Sequence, residues 1–298
     1  MKKIRFIYLI LVSGIVLFSC SEKSLDKQSI FDTESTQLFP PNDFDNWILK
    51  NYTKPYNIDL KYRFEDKESN NTYNLAPVVY DKAIALAKMI KYLWIESYAE
   101  LFDGNEIFIK TYCPKVIFMV GSPAYNSSGS IVLGTAEGGL KITLYNVNSI
   151  NLDKINIEQL NYWYFKTMHH EFAHILHQTK NYPPEFNLIS NDYQSSSWVN
   201  VTDQDALDMG FVSPYASSET QEDFVEIISI YVTNTKEYWD TNIIGNASDE
   251  GKAKIQQKLS VVKDYLTTSW GIDLDKLRDI VQRRSADITA LDLKSLND

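Results

Sequence analysis

The hydrophobic rhythm of the chain changes several times. Residues 21–41 carry no apolar periodicity; they are rich in Ser, Asp, Glu, Lys, Thr and Gln and end in Pro40-Pro41. That composition predicts a flexible tether. From Phe44 onward aromatic residues become dense. Apolar and polar residues alternate over residues 56–64, which predicts a strand. Ala, Leu, Ile and Met recur at helical spacing over 77–101, with Pro77 near the first turn of the expected helix. The apolar run at 115–120 predicts a buried strand. Residues 121–129 read as a loop, and 131–133 and 140–147 as two further strands turned by Gly138-Gly139. A long helix follows over 156–180, then a polar loop to about residue 216. Three more helices are predicted near 219–232, 251–268 and 273–285. Strands first and helices later imply an α+β domain, with a mixed sheet and a helical C-terminal lobe. The domain is expected over 42–298, with lobes at about 42–180 and 181–298 and a cleft between them.

The N-terminus changes that picture. Lys2, Lys3 and Arg5 precede a mainly apolar run of 13 residues, 6–18. The run is too short for a comfortable membrane span and reads as a secretory leader over residues 1–19. Leu17-Phe18-Ser19-Cys20 resembles a bacterial lipobox, which makes Cys20 the expected lipidation site and 20–41 the tether. A lipid anchor in the outer membrane, on its periplasmic or cell-surface side, is the implied location, and Glu22 points away from retention in the inner membrane. Removing the leader removes three of the 29 Lys and Arg and none of the 39 Asp and Glu, leaving a net charge of −13. Such a chain does not bind nucleic acid through a basic patch. With Cys20 lipidated, Cys113 has no disulfide partner and reads as a buried thiol.

The candidate chemistry lies in the 156–180 helix. All four histidines of the chain fall within nine residues: His169, His170, His174 and His177. At about 100° per residue, His170 and His174 sit within roughly 40° of each other on one helix face. That i, i+4 pair can hold one zinc ion, and Glu171 stands beside it as a candidate general base. Leu160, Tyr164, Met168, Phe172 and Ile175 fall on the opposite face, which can be buried. His177 shares the metal face but lies about 10 Å along the axis from His170, too far for both to bind one ion. It is expected to back up a ligand or to line the substrate site. His169 points away and is expected to be solvated or capped.

A catalytic zinc usually takes three protein ligands. No histidine remains, and His177 and Lys180 replace the Gly and His of the metzincin pattern. The third ligand is therefore expected to be a carboxylate. Glu222 is the candidate, on a helix that Ser218 and Gln221 are expected to open as a capping box. Glu226 shares its face at i, i+4, and two carboxylates there need a nearby positive charge, which zinc would supply. Glu226 could then orient a ligand imidazole.

The segment Glu222-Asp223-Phe224-Val225-Glu226, after His170-Glu171-Phe172-Ala173-His174, resembles the gluzincin peptidases of the lethal-factor type. It also resembles the zinc metallopeptidase lipoproteins of Gram-negative bacteria. That second resemblance extends to the stretches 57–63 and 210–215 and covers most of the chain. It implies a zincin-like fold, one Zn2+, Glu222 as ligand and Glu226 behind a ligand histidine. Tyr215, seven residues before Glu222, occupies the position of the catalytic tyrosine, though an ordinary core tyrosine would read the same. The implied activity is hydrolysis of a peptide or protein substrate by a zinc-activated water, with Glu171 as base and Tyr215 on the oxyanion. Residues 140–147 would serve either as an edge strand that pairs with substrate or as an ordinary sheet strand. The alternative is a non-catalytic zinc-containing binding or assembly lipoprotein beside a TonB-dependent nutrient importer.

Overall fold

Two apolar strands at the centre of the sheet organise the rest. The structure, a computed structural model, describes residues 40–70, 72–125, 131–132, 134–137 and 140–297. The expected leader, Cys20, most of the tether, Leu133 and the Gly138-Gly139 turn lie outside the described residues. Strands β1 (Asp59–Lys61), β2 (Val116–Met119), β5 (Gly134–Glu137) and β6 (Lys141–Leu144) form one sheet in the order β1-β2-β6-β5. β1, β2 and β6 are parallel and β5 is antiparallel to β6. β3 (Ala124–Tyr125) and β4 (Ile131–Val132) make a separate antiparallel pair.

Side chains of a strand alternate between faces, and both faces of this sheet are covered. Ile117 and Met119 pair in register with Ile142 and Leu144, and all four belong to the main core. Between them Phe118 points the other way, into a small cluster with Val120, Ala124 and Tyr145. Lys141 is buried as well, and its ammonium reaches the Glu68 carbonyl at 2.7 Å.

Several expected elements differ. The strand expected over 56–64 shortens to β1, because a helical run that begins with α1 (Asp43–Ile48) continues through Lys54–Tyr56. Asn57 stops it in the left-handed region at φ 55°. The helix expected from residue 77 starts at α2 (Tyr80–Ile90) and runs through a π-type turn into α3 (Glu96–Leu101). α4 (Ile107–Tyr112) was not foreseen. The strand expected over 140–147 ends at Leu144, since Asn146 turns left-handed at φ 62°. β6 also pairs on both sides and is therefore not an edge strand; β5, which carries no long apolar run, holds that place. The loop expected over 121–129 contains β3.

α5 (Ile157–Leu160) opens with Asn156 accepting the Gln159 N–H, and a π-type turn then leads into α6 (Lys166–Thr179). The apolar face of α6 is buried as the pattern requires. Phe172 meets Trp94, Tyr98 and Phe108 with ring centroids 4.9–5.9 Å apart. β5 runs close to α6: a Cβ on Gly134 would stand 2.4 Å from Cγ2 of Thr167. The expected polar loop holds a short helix, α7 (Asp203–Met209), capped by Thr202 and too polar to show an apolar stripe. α8 (Thr220–Thr233) is buried continuously from Asp223 to Thr233, as a helix enclosed on all sides must be. α6, α9 (Asp249–Tyr265) and α10 (Leu274–Ala286) pack around it. Among the described residues no helix is long and apolar enough to cross a membrane.

Phe172 is fully buried in this aromatic nest, so Phe172→Ala should lower unfolding free energy by about 3–5 kcal/mol in urea titrations.

Candidate metal centre

α6 presents His170 and His174 to α8, and the packing of the two helices brings three candidate ligand atoms together. His170 Nε2 lies 3.2 Å from His174 Nε2 and 2.9 Å from Glu222 Oε2, and His174 Nε2 lies 3.4 Å from the same oxygen. Bonds of about 2.05 Å to a tetrahedral ion hold neighbouring ligand atoms roughly 3.3 Å apart. The three distances bracket that value.

The groups behind the rings decide what these atoms can do. Glu226 Oε1 accepts the Nδ1–H of His170 at 3.0 Å, so the neutral ring carries its lone pair on Nε2. His174 Nδ1 lies 2.9 Å from His177 Nε2. His177 is buried, and burial followed by the neighbouring His174 depresses its pKa to about 4, so its ring is neutral and can accept. With that tautomer, His174 Nε2 also offers a lone pair. Two lone pairs and a carboxylate oxygen then face one point with no proton between them, an arrangement that calls for a cation. A proton can fill part of that role. Burial opposes charge on His170, yet its bonds to Glu222 and Glu226 push it up to about 9. A proton satisfies only one contact, whereas a divalent ion satisfies all three. The residues therefore fit a metal, and His170, His174 and Glu222 are the group that could hold it.

The neighbouring charges are arranged around that point. Burial works against the Glu222 carboxylate, but His170 and His174 hold its pKa well below the usual range. Glu226 is almost fully buried, and its pKa falls to about 2 because Lys166 and His170 outweigh that burial. Glu171 is half-buried, and burial raises its pKa. The Tyr215 ring lies 5.9 Å from that of His170. Burial, then the charges of Glu222, Glu226 and Glu171, keep its hydroxyl protonated.

Some expectations need correction. His169 is not solvated: it is buried, its Nδ1 lies 3.1 Å from the Tyr98 hydroxyl, and burial lowers its pKa to about 3. The reason is that α6 is enclosed by α3 as well as by α8. The expected capping box does not form. Ser218 Oγ donates instead to the Tyr215 carbonyl at 2.7 Å, and Glu219 precedes the helix without a side-chain cap. The charge that balances Glu226 comes from the chain itself, from Lys166 at 2.8 Å.

Three further residues, Lys166, Ser213 and Trp198, support the site. Lys166 stands one helical turn before His170, a spacing that could have flagged it. Ser213 Oγ donates to Glu226 Oε2 at 2.6 Å. Trp198 packs its ring 5.0 Å from Tyr215, from the 3-10 helix Ser195–Asn200, whose sequence carries no apolar pattern.

A mixed sheet beside a helix that bears two imidazoles able to hold a metal, with a carboxylate from a helix packed against it, is the α+β arrangement of zincin-like metallopeptidases. The chain belongs to the family described as "putative zinc-binding metallo-peptidase", whose model matches residues 39–275. It is similar to a solved structure from Bacteroides caccae, itself titled a putative zinc-binding metallo-peptidase. The two share 42% sequence identity over 87% of this chain and 99% of that one, with a TM-score of 0.74. No curated protein matches the chain.

Glu222→Ala should abolish stoichiometric zinc uptake, and Glu226→Gln should weaken it about 10- to 100-fold. Calorimetric titration of metal-stripped protein, with circular dichroism to verify folding, measures both.

Proposed function

We propose that the protein is a zinc-dependent peptidase in which His170, His174 and Glu222 hold one Zn2+ and Glu171 is the general base. The observation that carries this reading is the convergence of two imidazole nitrogens and one carboxylate oxygen on a single point. When bound there, zinc supplies a Lewis acid able to act on water and carbonyl oxygen at neutral pH.

The chain's own residues do the rest. Glu171 takes a proton from the attacking water as its oxygen bonds to the peptide carbonyl carbon. The same carboxyl returns the proton to the nitrogen as the C–N bond breaks, giving an acid and an amine. Burial favours the protonated form between those steps and so suits Glu171 to both. The Tyr215 hydroxyl, protonated throughout, donates a hydrogen bond to the carbonyl oxygen as that atom gains charge. Glu226 fixes the His170 ring, and His177 fixes that of His174. β5 is the sheet edge nearest α6, and an extended substrate could pair with its backbone. Attachment to a membrane through lipid on Cys20, and work beside a TonB-dependent importer, rest on the sequence resemblance.

With zinc-loaded protein and fluorescein-labelled casein, Glu171→Gln should lower turnover by at least about 10²-fold while zinc content stays stoichiometric. Tyr215→Phe should lower it by about 10²-fold. Chelation should remove activity and added Zn2+ restore it. A zinc-loaded wild type that cleaves neither casein nor a mixed peptide library would instead indicate a zinc protein that binds without turnover.

A further inference from the structure

Glu226 has partners on both of its oxygens, and they lead to two different parts of the site. Oε1 accepts from His170 Nδ1. Oε2 accepts from Lys166 Nζ at 2.8 Å and from Ser213 Oγ at 2.6 Å. The Ser213 hydroxyl is fixed at both ends, because it also accepts the Ala216 N–H at 3.1 Å. Ala216 follows Tyr215 in the single helical turn Tyr215–Ser217.

That turn has little freedom of its own. The Ser217 N–H and hydroxyl both donate to the Pro214 carbonyl, at 3.0 and 2.6 Å. The Ser218 N–H and hydroxyl both donate to the Tyr215 carbonyl, at 3.0 and 2.7 Å. On its outer side the 194–195 backbone is tied to the Ser217 and Ser218 carbonyls at 2.7 and 3.1 Å. The turn is therefore held as one body. It packs directly on α8 and sets the Tyr215 ring 5.9 Å from that of His170, and the Ser213 hydroxyl adds a hydrogen-bonded link to Glu226. A shift of the Glu226 carboxylate would carry the His170 ring on one oxygen and the Tyr215 turn on the other.

We propose that Ser213 is a positioning residue, which sets Tyr215 in register with the His170 side of the metal centre through Glu226. The inference rests on the peptidase reading above. Ser213 acts only through Glu226 and the turn, and it is not a catalytic residue. A serine that merely capped the turn would affect stability alone. A coupling serine affects metal binding, and its effect on turnover depends on Tyr215.

The test uses the purified protein in three forms: wild type, Ser213→Ala and Ser213→Thr, which keeps the hydroxyl. Zinc affinity is measured by competition with a chromophoric chelator, and thermal unfolding of the metal-free forms verifies folding. Ser213→Ala should bind zinc about 10-fold more weakly, at the lower end for partners behind a ligand, and Ser213→Thr should lie within about twofold of wild type. Ser213→Cys takes the place of the alanine variant if that variant does not fold. With labelled casein, Ser213→Ala should lower turnover about 10-fold in the wild-type background and leave Tyr215→Phe unchanged.

Unchanged zinc affinity in a folded Ser213→Ala overturns the inference, as do fully multiplicative losses in the double variant. If wild type does not cleave casein, the zinc measurement decides alone. A wild type that binds no zinc, or whose zinc survives His170→Ala, overturns the peptidase reading along with the inference. Zinc that depends on His170 but ignores Ser213→Ala overturns the inference only.

Discussion

Where α6 lies against α8, two imidazoles and a carboxylate are held within 3.4 Å of one another. Two imidazole nitrogens and a carboxylate oxygen do not gather on one point unaided. The apolar faces of the two helices bring them there: Phe172 locks α6 into the aromatic nest, and α8 is buried along most of its length. Hydrophobic burial thus supplies the free energy that a metal-ready cluster costs before any ion arrives.

The same packing explains the ionic architecture around the centre. Glu222, Glu226 and Glu171 crowd one region of low polarity, and an uncompensated carboxylate there would be expensive. Lys166 offsets Glu226, and the histidines offset Glu222. One residue along, Asp223 is fully buried against an equally buried Lys258 at 2.7 Å. Burial raises Asp223 to about 6 despite that lysine and the Tyr193 hydroxyl. Lys258 also donates to the Gly210 carbonyl and lies 4.1 Å over the Phe211 ring. It therefore ties the first turn of α8 to the stretch that leads to Tyr215. A buried pair of this kind adds little net stability, but its geometry is demanding.

Peptidase chemistry needs a base, an electrophile and a hydrogen-bond donor with separate supports. His170 and His174 share one helix, so their spacing follows from helical geometry. Glu222 comes from the helix packed against it, and Tyr215 from a turn held by serine hydroxyls. Trp198 covers one side of that tyrosine from the 3-10 helix Ser195–Asn200. Long helices thus carry His170, His174 and Glu222, and a short hydrogen-bonded turn carries Tyr215.

That His170 and His174 share one face of α6, and Glu222 and Glu226 one face of α8, was legible in the sequence, because each pair is spaced i, i+4 and the period of a helix is the same in every fold. The long helices, the core strands 116–119 and 141–144, and the burial of Cys113 were legible for a related reason: each carries an apolar pattern with a fixed period. The identity of the edge strand was not, because β5 is short and only pairing with β6 defines it. Neither was the burial of His169, which depends on α3 closing over α6. The partners of Glu226 escaped for the same reason. Lys166, Ser213 and Glu226 are separated by up to sixty residues, and nothing local marks one ammonium or one hydroxyl among many. Periodic features are written into consecutive residues, whereas the neighbours that tune a buried charge are chosen only when distant segments meet.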